Sequence, residues 1–315
     1  MSQQLYNDYG SWIRRQFSFR VQKISVDAGF SCPNRDGSIS SGGCTFCDNR
    51  TFNPSYCRPS EPIATQIAEG KRFFAAKYPD MRYLAYFQAY SNTYAPLDVL
   101  CRRYEEALEQ DGVVGIVIGT RPDCVSVEVA DYLERLSRQT FVVVEYGIES
   151  VCDDTLRRVN RGHDFECSRR AIELTRSRGI LTGGHIILGL PGESAADNIA
   201  QAATVSRLGL DIIKLHQLQI IRGTRLAHDY SLRPFSLYTA DEYIDLCIRY
   251  LERLRPDMVV ERFVSQSPKD LLVAPKWGLK NYEFTNRLVN EMRRRNTWQG
   301  RLEGCGGGDV ISVPS

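Results

Sequence analysis

Three cysteines carry the first chemical signal in this chain, where "CPNRDGSISSGGCTFC" sets Cys32, Cys44 and Cys47 at C-x11-C-x2-C. The two-residue step puts two thiols on one tight turn, and the longer arc contains Gly37, Gly42 and Gly43, which let a backbone wrap around a bound group. Two chemistries use such an arc. A structural zinc closes its tetrahedron with four protein ligands, and Cys57, ten residues on, is the available fourth. A cubane iron–sulfur cluster held by three thiolates instead keeps one iron open for an exogenous ligand. Spacing alone leaves both open.

Other polar residues stand out by strand alternation. In "VVVEYGIES", Glu145, Gly147 and Glu149 fall on one face, where a carboxylate is costly unless it meets a polar ligand. In "IIKLHQL", Lys214 and His216 share a face from which they reach toward a substrate, and a lysine inside a barrel needs a partner.

These residues need elements to position them. Short β-branched runs at 21–26, 82–90, 113–120, 141–148, 180–190 and 210–218 read as strands. Helical periodicity separates them at about 61–78, 97–110, 126–138, 164–178 and 194–208, and a further helix near 239–254 follows the last strand. Crossovers of that length mean parallel pairing and right-handed βαβ units, an α/β architecture that forms a barrel or part of one. "VVGIVIGT" is apolar on both faces, as a strand covered by helices should be. In such folds reactive groups sit on loops after the carboxyl ends of the strands, and the cysteine arc directly follows the first strand.

At 315 residues and 43% apolar content the chain suits one main domain at 1–256 and a C-terminal extension at 257–315, which ends in a helix within "KWGLKNYEFTNRLVNEMRRR". No window approaches eighteen continuous apolar residues and "MSQQLYNDYGSWIRRQF" lacks the apolar stretch of a signal peptide, so the expectation is a cytoplasmic protein with no membrane partner. Ten cysteines at irregular spacing are no disulfide framework. Net charge is only +2, but arginines are grouped, notably Arg157 with Arg158 and Arg293 to Arg295. Such groups either contact phosphates or form solvated helix faces.

The cysteine arc, its place after the first strand and the phrases "GFSCPNRDG", "GGCTFC", "YFQAYSNTYA", "GTRPDC", "RVNRGHDF", "GLPGE" and "IKLHQLQIIRGT" together resemble the radical S-adenosylmethionine (SAM) superfamily over about residues 20–255. Within it the chain resembles the YhcC-type branch, near the Elongator catalytic subunit and the oxygen-independent coproporphyrinogen oxidases. The resemblance implies a partial (β/α)6 TIM-type barrel and a [4Fe–4S] cluster on Cys32, Cys44 and Cys47. It also implies reductive cleavage of SAM to a 5′-deoxyadenosyl radical that abstracts hydrogen from a substrate. The commonest superfamily spacing is C-x3-C-x2-C, and the eleven-residue arc departs from it.

The same resemblance implies roles for single residues. Phe46 packs beside the cluster and the adenine, while Gln88, Tyr90 and Ser91 of "QAYS" stand where relatives hold the methionine amino group. Glu149 takes the slot that meets the ribose hydroxyls, Arg161 the slot that pairs with the SAM carboxylate, and His185 that of a polar SAM contact. Gly119 occupies a place where several Elongator-like relatives have glutamate, and Glu145 is the candidate to take over that grip. Cys57, Cys124 and Cys305 read as ordinary free cysteines.

For the substrate the resemblance implies tRNA, at wobble uridine, with Arg157, Arg158 and Arg293 to Arg295 as phosphate contacts and an electron donor such as flavodoxin or ferredoxin. A small-molecule or peptide substrate is the alternative. A non-catalytic zinc or RNA-binding protein using Cys32, Cys44, Cys47 and Cys57 is the alternative of another class, and it explains neither "VNRGH" nor "GLPGE".

Overall fold

The computed structural model describes residues 4–51, 53–75 and 80–303, so Cys305 lies outside the described residues. In chain order the elements are α1 (Tyr9–Gln16), β1 (Arg20–Val26), α2 (Ile63–Ala75), β2 (Met81–Phe87), α3 (Leu97–Leu108), β3 (Val113–Thr120), α4 (Val127–Ser137) and β4 (Phe141–Glu149). There follow α5 (Asp153–Arg158), α6 (Phe165–Arg176), β5 (Leu181–Leu188), α7 (Ala195–Arg207), β6 (Ile212–Gln217), β7 (Ile220–Ile221), α8 (Arg225–Leu232) and α9 (Ala240–Leu251). The chain closes with β8 (Val259–Arg262), β9 (Leu272–Ala274) and α10 (Asn281–Arg294).

Helix starts follow local chemistry. Ser126, Asp164 and Ser194 each accept a backbone N–H at the head of α4, α6 and α7, a cap that stabilises a helix by about 1 kcal/mol.

Seven strands form one parallel sheet in the order β1-β2-β3-β4-β5-β6-β8, curled into a partial barrel. The six expected strands are all present. The seventh comes from the segment beyond 257: β8 pairs with β6, β9 runs antiparallel to β7, and α10 packs on α9. A register shift sets Ile213 against Val260 but Lys214 against Arg262. This bulge turns two consecutive charged residues, Glu261 and Arg262, toward the barrel interior.

Because side chains alternate along each strand, the interior is stacked in levels two residues apart. The lowest is apolar, with Leu84, Val117, Val143, Ile212 and Val259. Helix α1, which the hydrophobic pattern did not reveal, plugs it: Ile13 is buried among these residues, and Tyr9 and Trp12 pack against them. Burying one such isoleucine side chain contributes roughly 1.5–3 kcal/mol. Two residues higher, Lys23, Tyr86, Glu145, Lys214 and Glu261 form a charged level. Two residues higher again, Gln88, Gly147, His185 and His216 open, together with Gly119 of the level below, into a cleft at the carboxyl ends of the strands.

Candidate active site

The loop after β1 brings Cys32, Cys44 and Cys47 to this cleft, with Phe46 between the last two. Its backbone is held by hydrogen bonds from Arg35 N to Cys32 O (2.8 Å) and from Cys47 N to Cys44 O (3.0 Å). Gly43 has φ 80°, and a Cβ there would lie 2.8 Å from Arg35 Nε, so only glycine lets Arg35 cross the loop and donate to Cys47 O at 2.6 Å. Burial and then the neighbouring Cys44 push the Cys47 thiol up to about 11, against the pull of Arg35. A thiol so placed gives up its proton when a metal supplies compensating charge.

Cys57 takes no part in the cleft. It is buried in the outer core with Ile24, Tyr56 and Ile63, and burial pushes it up to about 12. Cys124 is also buried and lines a separate cleft with Thr93 and Asp123. Among the described residues no three His, Cys, Asp or Glu side chains gather closely enough for a single metal ion. Three thiols from one loop lining one cleft suit a cluster, in which each cysteine meets a different iron.

Arg161 is buried beside the thiols. Its Nη1 lies 3.5 Å from Cys44 Sγ, its Nη2 donates to Gly147 O and lies 3.9 Å from Glu149 Oε1, and its buried Nε has no partner among the described residues. Burial works against its charge, but Cys44 and Glu149 outweigh it and hold the group above its usual range. Glu149 is raised by burial, against the pull of Arg161 and Arg121. A Cβ on Gly147 would fall 2.6 Å from Glu149 Oε1 and 2.8 Å from Arg161 Nη2, so this glycine makes room for the pair.

Tyr90, Glu149 and Asn160 adopt left-handed φ of 61°, 69° and 54°. Such conformations cost of order 1–3 kcal/mol each and persist where the surroundings over-determine them. Tyr90 and Glu149 line the cleft, and Asn160 ties Arg161 to the cysteine loop by donating to Gly43 O at 2.9 Å. Gln88 and the buried Ser91 also line the cleft, and Ser91 Oγ has no hydrogen-bond partner among the described residues. Gly119 lies on the cleft wall, where a Cβ would stand 3.2 Å from Phe87 O.

The charged level forms the floor. Glu145 Oε1 accepts from Lys23 Nζ at 3.0 Å, and its Oε2 accepts from Lys214 Nζ at 2.5 Å and faces His185 Nε2 at 3.2 Å. Burial alone raises a carboxyl, but Lys214 and Lys23 together hold Glu145 well below the usual range. Glu261 completes the set at 2.6 Å from Lys23 and 3.3 Å from Lys214. Burial lowers Lys214 to about 8 despite Glu145 and Glu261. Lys214 therefore lies one level beneath the cleft, behind Glu145, while His216 reaches it. His185 is lowered to about 4 by burial, and His216 falls well below its usual range through burial and the neighbouring Arg262.

Of the residues singled out in the sequence, the three cysteines, Phe46, Gln88, Tyr90, Ser91, Glu145, Glu149, Arg161, His185 and His216 meet around one cleft. Glu145 meets cations of the protein itself, with both oxygens engaged. Sequence reading missed Arg35, Lys23, Glu261, Arg262 and Ser265. A signal existed for one of them: Lys23 is the only charge in "VQKISV".

The grouped arginines are mostly engaged. Arg157 pairs with Asp154, Arg158 donates to Pro191 O (2.8 Å), Arg293 to Asn290 Oδ1 (3.1 Å), Arg294 to Glu291 (2.6 Å) and Arg295 to Asp245 (2.6 Å). Among the described residues no helix is long and apolar enough to cross a membrane.

The radical SAM superfamily model matches residues 36–202 and the radical SAM C-terminal domain matches residues 210–294. Protein YhcC of Escherichia coli is 38% identical over 87% of this chain and 88% of its own length. The tRNA uridine(34) acetyltransferase of Methanocaldococcus infernus is 26% identical over 63% of this chain, which spans 38% of that protein. The solved structure of Methanocaldococcus infernus Elp3 with an N-terminal deletion shares the fold, with a TM-score of 0.64 and 17% identity over 94% of this chain and 68% of that one. On the first two of these findings the chain belongs to the radical SAM superfamily, an enzyme superfamily whose cofactors are a [4Fe–4S] cluster and S-adenosylmethionine.

Proposed function

We propose that Cys32, Cys44 and Cys47 hold the cluster, that SAM lies between these thiols and Arg161, and that the substrate is tRNA, at wobble uridine. The observation that carries the cofactor assignment is the buried, unpartnered Nε of Arg161 in a side chain 3.5 Å from Cys44 Sγ. A guanidinium left half-satisfied in a buried site fits a carboxylate, which its planar fork binds in a bidentate manner. When bound, the cluster and SAM supply a primary carbon radical that takes a hydrogen atom from the substrate, with an electron from a donor of the flavodoxin or ferredoxin kind.

The protein's part is position. Arg161 orients the amino-acid end of SAM, Glu149 is placed to accept from a ribose hydroxyl, and Ser91 Oγ and Gln88 offer polar contacts on the facing wall. The apolar level and α1 close the barrel beneath, which keeps stray hydrogen donors from the reacting centre. The tRNA part rests on the likeness to the archaeal tRNA uridine(34) acetyltransferase. A small-molecule substrate is the second reading, favoured by Arg294 and Arg295, which are already paired with carboxylates.

Anaerobic purification and cluster reconstitution, iron and sulfide assays and 5′-deoxyadenosine formation with dithionite test the cofactor part. A colourless protein that releases no 5′-deoxyadenosine would overturn it. Comparing tRNA nucleosides from cells with and without the gene tests the substrate part, and identical nucleoside profiles would turn the search to small molecules.

A further inference from the structure

The cleft holds a second unsatisfied guanidinium, at the end formed by β6, β8 and the loop after β8. Arg262 lines the cleft, its Nε is buried without a partner among the described residues, and its Nη2 only approaches His216 Nε2, at 3.5 Å. Among the described residues it makes no ion pair, whereas Lys23 and Lys214 beneath it are matched one for one by Glu145 and Glu261. His185 and His216 are both neutral, so this end of the cleft carries one uncompensated positive charge. Arginine cannot shed its proton, and a half-buried guanidinium whose Nε is cut off from water without a partner gains from an anion, so the site is suited to receive one.

The neighbouring groups are arranged as donors. A donation from Arg262 to His216 Nε2 puts the ring proton on Nδ1, from which it is donated to Ser265 Oγ. That leaves the Ser265 hydroxyl hydrogen free for a ligand. The serine is fixed in place. Its N–H donates to Gln217 Oε1 at 2.9 Å, and its carbonyl accepts from Gln217 at 2.9 Å and Gln219 at 3.2 Å. SAM has one carboxylate, and Arg161 stands beside the thiols to meet it. A second cation elsewhere in the cleft calls for a second anionic group.

We infer that Arg262 and Ser265 form a seat for a carboxylate or phosphate oxyanion of the substrate, holding the substrate by that group in the same cleft as SAM. The inference rests on the SAM site proposed above. It also gives the segment after 257 a task in recognising substrate, since both residues belong to it.

The test uses the anaerobically reconstituted protein with SAM bound, titrated calorimetrically with sodium malonate and, separately, with inorganic phosphate. At least one probe should bind. Arg262→Gln should weaken that binding about tenfold or more, as expected for losing a charge-assisted bond, and Arg262→Lys should recover part of it. Ser265→Ala should weaken it by a smaller factor, which keeps the test valid if Arg262→Gln fails to fold. SAM affinity, measured on the same samples, should move by a much smaller factor. Binding of malonate alone marks a carboxylic acid substrate, and binding of phosphate alone marks a nucleotide; either supports the seat. Neither probe binding, equal binding by Arg262→Gln or Ser265→Ala, or a parallel loss of SAM affinity would overturn it. Failure of the parent protein to bind SAM would instead overturn the cofactor assignment.

Discussion

Glu145 Oε2 and Lys214 Nζ stand 2.5 Å apart inside the barrel, joined across β4 and β6 with both side chains buried. Lys23 of β1 and Glu261 of β8 extend the contact to the two edge strands of the open sheet. A four-charge set therefore ties the edges of a partial barrel that, among the described residues, no strand ladder closes. Removing one member strands a buried opposite charge, at a cost of about 3–5 kcal/mol. Lys214→Met should lower the unfolding free energy from denaturant titration by that order, and the Glu145→Gln/Lys214→Met double variant should lose less than the sum of the single changes. Additive losses would show that the two side chains do not act as a pair.

The neutral histidines predict acid sensitivity. His185 is lowered from 6.5 to about 4, so between those pH values the unfolded chain binds the extra proton and the folded one does not. Stability is therefore fully present above pH 6.5 and falls on acidification toward pH 4, by up to about 3 kcal/mol for this one residue. Denaturant midpoints of the cluster-free protein at several pH values across this window should decline, and His185→Asn should flatten the decline. A slope unchanged by the substitution would place the acid sensitivity elsewhere.

Much of this was legible in the sequence because period-two alternation does the positioning. Glu145, Gly147 and Glu149 on one face, and Lys214 with His216 on another, follow directly from it. What alternation cannot tell is depth: Lys214 and His216 differ by one level, which separates a buried counter-ion from a cleft residue. Helix α1 was hidden because its apolar face is only Tyr9, Trp12 and Ile13, and its burial depends on an open barrel end that exists only after folding. Arg262 was hidden because a bulge overrides alternation there, and nothing local in "VVERF" announces one.

The proposed cluster site separates the cysteines into ligands and filler. Replacing Cys32, Cys44 or Cys47 by Ala should abolish the cluster's absorption, because three ligands leave no spare. Cys57→Ala should keep the spectrum and cost only packing, since its sulfur lies in the outer core. A colourless Cys57→Ala protein that remains folded by circular dichroism would put that residue in the ligand set.

Gly147 tests the SAM site without touching a charge. A methyl group there would have to displace the Glu149 carboxylate and the Arg161 guanidinium together, given the 2.6 Å and 2.8 Å approaches. Gly147→Ala should thus weaken SAM binding about as much as Arg161→Ala, by roughly 1.5–3 kcal/mol, with the cluster spectrum retained. Parent-like SAM affinity in both variants would remove this pair from the cofactor site.

The last prediction concerns tRNA and the C-terminal helix. Giving up one bound phosphate of a loop or single strand reduces the slope of log affinity against log salt by about 0.7. Three free arginines at 293 to 295 would therefore account for a change of about 2 when all are neutralised. In the structure Arg294 is held by Glu291, and Arg295 by both Glu291 and Asp245, which leaves Arg293 with a single neutral partner. Releasing a carboxylate to bind a phosphate exchanges one ion pair for another and gains little. The triple glutamine variant should therefore change the salt slope for tRNA by no more than about 0.7, the share of Arg293 alone. A change near 2 would make α10 an RNA-binding face and move the search for the substrate decisively toward tRNA.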